Sequence, residues 1–130
     1  MFSCQTGKKI LSVCLTAPTT IQYRFGVHGK RPELAYPPFG KEVESAFRFE
    51  AESRSAKGNI TILQFTNSGV RYTVFRFTHT FEGNYAGVEV RDPNGSVARL
   101  SCRESSVVDN LWERLHSLNF APVPSEEIIE

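Results

Sequence analysis

The sequence predicts a mainly β protein, an antiparallel barrel or tight sandwich of about eight strands followed by one C-terminal helix. Three observations carry this. Apolar and polar residues alternate in short segments. Gly, Asn, Asp and Pro punctuate the chain between them. Beyond Ser106 the apolar period changes from two to the spacing of a helix.

The elements follow in chain order. Phe2–Gln5 and Lys9–Leu15 read as a hairpin through Thr6-Gly7-Lys8, and Pro18 ends it. Thr20–Phe25 alternates, with Ile21, Tyr23 and Phe25 on one face. Residues 26–40, rich in Pro and Gly, read as a long surface loop with a short extended piece near Glu33–Tyr36. Glu44–Ala51 alternates again. Asn59–Thr66 is apolar on both faces. Asn67-Ser68-Gly69 makes a tight turn, since Asn and Gly tolerate positive φ. Val70–Phe81 is a long strand, with Phe75, Phe77 and His79 opposite Tyr72, Val74 and Arg76. Glu82-Gly83-Asn84 turns the chain. Tyr85–Arg91 points Ala86, Val88 and Val90 inward. Asp92-Pro93-Asn94-Gly95 is a strong turn signal, and Ser96–Cys102 is the last strand. Val107, Val108, Leu111, Trp112, Leu115 and Leu118 then follow helical spacing behind Ser106 as N-cap, which predicts a helix over 106–117.

A chain of 130 residues makes one domain, taken as residues 1–121 with the helix included, and residues 122–130 form a flexible acidic tail. Hydrophobic residues at 40% supply a core without help from a metal. A net charge of +1 provides no field to draw nucleic acid. No apolar run approaches the roughly 20 residues of a membrane helix. Met1 leads straight into Phe2-Ser3-Cys4 with no leader pattern, so the chain is either cytosolic or has lost an export signal.

The cysteines are Cys4, Cys14 and Cys102, an odd count that permits one bridge and one remaining thiol. Closing the strands on themselves pairs the last with the first and sets Cys102 beside Cys4; a disulfide needs Cα atoms within about 7 Å. Cys14 lies past the residues that oppose Cys4 in its own hairpin. Cys4–Cys102 is therefore favoured, with Cys4–Cys14 as the local alternative. There is no CxxC and no His at ligand spacing, so no metal and no cofactor is expected.

Little else points to chemistry. His28, His79 and His116 fall in a loop, a strand and a helix, and His79 reads as a rim residue between Phe77 and Phe81. Glu42 with Glu44, and Glu50 with Glu52, read as solvated strand faces. The glycine loop from Gly26 to Lys30 lacks phosphate-loop spacing. The alternating arginines and aromatics of Val70–Phe81 read as core, not as a stacking surface for single strands. No nucleophile, base and orienting group converge, so catalytic residues are none and an enzyme is not expected.

One segment is more specific. Ser68-Gly69-Val70-Arg71-Tyr72, followed by Glu82-Gly83, resembles the signature of the membrane-bound and periplasmic inhibitors of C-type lysozyme. That family has a Ser-Gly-x-x-Tyr turn, a strand, and then an aromatic-x-Lys-Gly turn. Ser68, Gly69, Tyr72 and Gly83 match, and Glu82 stands where the family carries its lysine. The segments Phe2-Ser3-Cys4 with Gly7-Lys8, Tyr23-Arg24-Phe25-Gly26 and Ala86-Gly87-Val88-Glu89-Val90 also resemble small exported bacterial proteins of unassigned function. The resemblance implies a small β-barrel, a periplasmic or secreted location rather than a cytoplasmic one, and a serine and a cation set against the catalytic carboxylates of a hydrolase.

Two functions are therefore expected. The first is a protein-binding module of the cell envelope that blocks a lysozyme, another peptidoglycan hydrolase or a secreted toxin. Its binding edge would hold Ser68, Gly69, Arg71, Tyr72, Glu82, Gly83 and Asn84. The alternative is a barrel that holds a lipid or sugar among its aromatic residues.

Overall fold

The computed structural model describes residues 2–17, 20–37, 46–53, 58–79, 83–110, 115 and 120–124. Its strands are β1 (Phe2–Thr6), β2 (Lys9–Ala17), β3 (Thr20–Val27), β4 (Leu34–Tyr36), β5 (Arg48–Ser53), β6 (Gly58–Asn67), β7 (Val70–His79), β8 (Gly83–Arg91), β9 (Val97–Ser101) and β10 (Val108–Asp109). They form two antiparallel five-stranded sheets, ordered β10-β1-β2-β3-β4 and β5-β6-β7-β8-β9.

Alternation places the core. In the first sheet Cys4 faces Leu11 and Leu11 faces Phe25, while Phe2 faces Val13 and Val13 faces Tyr23. These side chains share one face because each pair sits at an even spacing along its strand. In the second sheet Leu63 opposes Val74, and Val74 opposes Val88. The two sets meet in a single buried cluster that also takes in Tyr36, Phe47, Phe65 and Leu115. Two sheets sharing their inner faces in this way make a sandwich-like arrangement.

The second sheet is apolar on its other face as well. Ile60, Ile62, Phe75 and Phe77 gather there with Val123 as a separate buried cluster. This is the reason β6 reads as apolar on both faces. Arg48 and Ala121 form a parallel bridge, and the Phe49 amide donates to the Ala121 carbonyl at 3.1 Å. Val123, in the segment expected as a tail, is packed and buried. Residues 125–130 lie outside the described residues.

Three expectations change. First, the sheets do not close into a barrel. The free edge of β1 pairs with β10, and among the described residues β9 pairs only with β8. The two long end strands therefore never meet in a ladder. Second, among the described residues the predicted helix is not seen to start at Ser106, and Leu115 is the one helical position in its span. Glu104–Ser106 is a 3-10 turn and Val108–Asp109 is strand. The hydroxyl of Ser106, expected to cap a helix, instead accepts the Gln5 amide at 2.9 Å and donates to the Arg103 carbonyl at 2.6 Å. A hydroxyl spent on a neighbouring strand is not available to the first turn of a helix. Residues 111–114 and 116–119, with Trp112 and His116, lie outside the described residues. Third, the loop at 26–40 starts later than expected, because β3 runs on to Val27; the extended piece expected near Glu33–Tyr36 is β4, whose Tyr36 is buried in the core.

Cys4 and Cys102 form a disulfide, with Cα atoms 5.5 Å apart. The favoured pairing holds although the closure that suggested it does not. Cys102 follows β9 directly, and the chain crosses there from the second sheet to the first. The Cys102 amide donates to the Ala86 carbonyl and the next amide, Arg103, donates to Gln5, each at 2.8 Å. Arg76 anchors the crossing from the other side, with a two-pronged contact to Glu104 at 2.7 and 3.0 Å. Cys14 keeps a free thiol.

Candidate functional site

The β6–β7 hairpin turns on two residues. Ser68 (φ 53°) and Gly69 (φ 80°) are both left-handed, with Asn67 and Val70 paired at the base. This is the two-residue turn whose twist matches that of its strands. Glycine enters it freely, whereas a serine there costs on the order of 1 kcal/mol. Both residues are exposed. The β8–β9 turn lies alongside, since a Cβ on Gly69 would stand 3.2 Å from Pro93 Cγ. That second turn is tied internally: Asp92 Oδ1 accepts the amides of Asn94 and Ser96 at 2.9 and 3.0 Å.

The tip stands on aromatic rings. Phe65 stacks on Tyr72 at 4.8 Å between centroids and on Tyr36 at 4.4 Å. Tyr23 and Phe47 meet the same Phe65 ring at 5.0 and 5.5 Å. Phe65 is thus the hub of a five-ring cluster that joins the sheets. Tyr72, expected at the binding edge, is one of these rings, half-buried against the core. Its ring supports the tip from beneath. Burial pushes the Tyr23 hydroxyl pKa well above the ordinary tyrosine value, with the charge of Tyr72 adding to the effect.

Charge gathers on the outer face of the same hairpin. Arg71 sits directly across from Arg91 in the β7–β8 ladder. Opposed like charges are unfavourable unless something offsets them. Glu89 does so in part: its carboxylate lies 2.9 Å from Arg99 and 3.6 Å from Arg91. Arg91 Nε remains buried without a hydrogen-bond partner. Arg91 and Arg99 thus share the Glu89 carboxylate on the face next to the Ser68 tip.

The remaining expected residues are elsewhere. Gly83 and Asn84 open β8, at the far end of β7 from Ser68. Ten residues of strand at about 3.3 Å each put roughly 30 Å between the two turns. The Asn84 side chain accepts the His79 amide at 3.2 Å and so helps close its own connection. Glu82 lies outside the described residues. Ser68, Gly69 and Arg71 therefore form one locality and Gly83 with Asn84 another. Arg91, Glu89 and Arg99 escaped the sequence reading. The signal for Arg91 was present: a hairpin centred on residue 81 must pair positions 71 and 91.

Comparison with protein families, with curated proteins and with solved structures returns no match for this chain. Among the described residues, no helix is long and apolar enough to cross a membrane.

Proposed function

We propose that this chain is a protein-binding module of the bacterial cell envelope that blocks a cell-wall-degrading enzyme, as a lysozyme inhibitor or as the immunity protein of a secreted toxin. The observation that carries the reading is the tip itself, an exposed Ser68 hydroxyl in a left-handed turn beside Arg71 and Arg91. Enzymes that hydrolyse glycosidic bonds commonly present two carboxylates in a cleft. A hydroxyl and a guanidinium offered from a firm hairpin complement such a cleft in charge and in hydrogen bonding. The lysine that the resemblance calls for at position 82 is replaced in this reading by arginine at the Ser68 end. The Cys4–Cys102 bridge is compatible with an oxidising compartment outside the cytoplasm.

The test is lysis of peptidoglycan by C-type lysozyme and by a panel of other peptidoglycan hydrolases. At least one enzyme is expected to slow at micromolar concentrations of this protein. Replacing both Arg71 and Arg91 by Glu should restore its rate. A panel in which no enzyme is slowed or bound would end the proposal.

A further inference from the structure

Before Glu33 the chain contains Lys8, Lys9, Arg24, Lys30 and Arg31 and no acidic residue. The fold brings this charge to one end of the first sheet. Lys9 pairs with Val27, so the Gly7-Lys8 turn lies beside His28-Gly29-Lys30. The segment after Val27 then folds back. The Lys30 amide donates to the Val27 carbonyl at 3.1 Å, and the Glu33 amide to the Phe25 carbonyl at 2.8 Å. Gly26 permits this return, because a Cβ there would stand 3.0 Å from Glu33 N and 3.2 Å from Pro32 Cα.

The returning segment walls a hollow of about 260 Å³ on the outer face of the sheet, lined by Ile10, Ser12, Arg24, Gly26, His28 and Lys30 among others. A second hollow shares Ile10 and His28 with it and adds Lys8 and Lys9. Arg24 is held by a chain of hydrogen bonds. Its Nε donates to Gln22 Oε1 at 2.7 Å, and Gln22 in turn donates to the Pro37 carbonyl at 3.0 Å. That chain fixes the guanidinium plane. Glu33, the acid of this segment, is paired with Lys9 at 2.9 Å.

We infer that this hollow binds the phosphate group of a small phosphomonoester. Arg24 and Lys30 would supply the charge-assisted donors, Ser12 a hydroxyl, and Ile10 an apolar wall for the carbon skeleton. A guanidinium and an ammonium lining one concave surface suit a phosphate better than a single carboxylate. The site is on the opposite sheet from Ser68 and is independent of the protein-binding reading.

The experiment follows backbone amide shifts during titration with inorganic phosphate and with glycerol 3-phosphate, against potassium chloride at matched ionic strength. Saturable shifts at Gly26, Gly29 and Lys30 are expected below about 20 mM ligand, with glycerol 3-phosphate the tighter of the two. Arg24→Gln and Lys30→Gln should each weaken binding by about tenfold while the rest of the spectrum keeps its dispersion. Shifts no larger than those from chloride would overturn the inference, and so would unchanged affinity in both variants. A parallel arm uses phosphatidylglycerol vesicles. Vesicle binding without a saturable response to glycerol 3-phosphate would also overturn it, since a charged surface and not a phosphate pocket would then be the target.

Discussion

Tyr23 is buried where a phenolate is poorly tolerated, and its raised pKa is a statement about stability. Below pH about 10 the hydroxyl is protonated in both the folded and the unfolded chain and contributes no pH dependence. Above that value the unfolded chain ionises and the folded one does not. Stability should then fall with rising pH, by up to about 1.4 kcal/mol per unit from this group. Urea midpoints measured from pH 8 to 11 should decline less steeply in Tyr23→Phe than in the unchanged protein. Parallel declines would contradict the assignment. Ser68 and Tyr72 show what residue type reveals at this scale. The turn was legible from Asn67-Ser68-Gly69, but Ser68, not Asn67, carries the positive φ. Tyr72 is named by the motif, but its depth is not. Its stacking on Phe65 depends on a partner seven positions away in sequence and on the opposite sheet as well.

Strands were legible and the course of the chain at residues 106–109 was not, for the same physical reason. Alternation is local, and β1, β3 and β6 to β9 fall within two residues of their expected limits. Helical spacing through Val107 and Val108 is also local, but this stretch answers to distant partners. Val108 pairs with Ser3 and Asp109 with Phe2, so β1 draws the segment into extended form. β-branched valines at 107 and 108 accept that conformation readily. Ser106 is the hinge of the arrangement. Ser106→Ala should cost about 1 kcal/mol, the value of a hydroxyl that accepts a backbone amide. Hydrogen exchange gives the sharper reading. The Gln5 amide should lose protection in the variant while amides of the β2–β3 ladder keep theirs; an unchanged Gln5 rate would contradict the contact. The candidate site was half legible at this level. Ser68 and Arg71 were found from their motif, whereas Arg91 belongs to it only through the β7–β8 register.

Over the whole molecule, two sheets share a buried core and are stitched where the chain passes from β9 back to β1. The Cys4–Cys102 bridge spans 98 residues of sequence, so it confines most of the unfolded chain. The loop-entropy relation places its contribution near about 4–5 kcal/mol. Urea unfolding of Cys4→Ser/Cys102→Ser should show a loss of that order, and a loss below about 1 kcal/mol would mean that the crossing is held by Arg76 and the backbone bonds alone. The pairing could be read from sequence because any antiparallel plan that returns to its first strand brings these cysteines together. That the return is made by β10 and not by β9 could not be read, since a two-residue strand leaves almost no pattern. The role of the Ser68 tip is the claim on which the functional account rests, and one substitution separates it from stability. Ser68→Asn places a residue that tolerates the left-handed turn and should raise stability by about 0.5–1 kcal/mol while removing the hydroxyl. The deciding measurement is the lysis rate of the hydrolase that this protein slows, taken with the unchanged protein and with Ser68→Asn at equal concentration. The account predicts a more stable variant that inhibits at least tenfold less well, on the order of 1.4 kcal/mol of lost binding. Equal inhibition by the two proteins would contradict it.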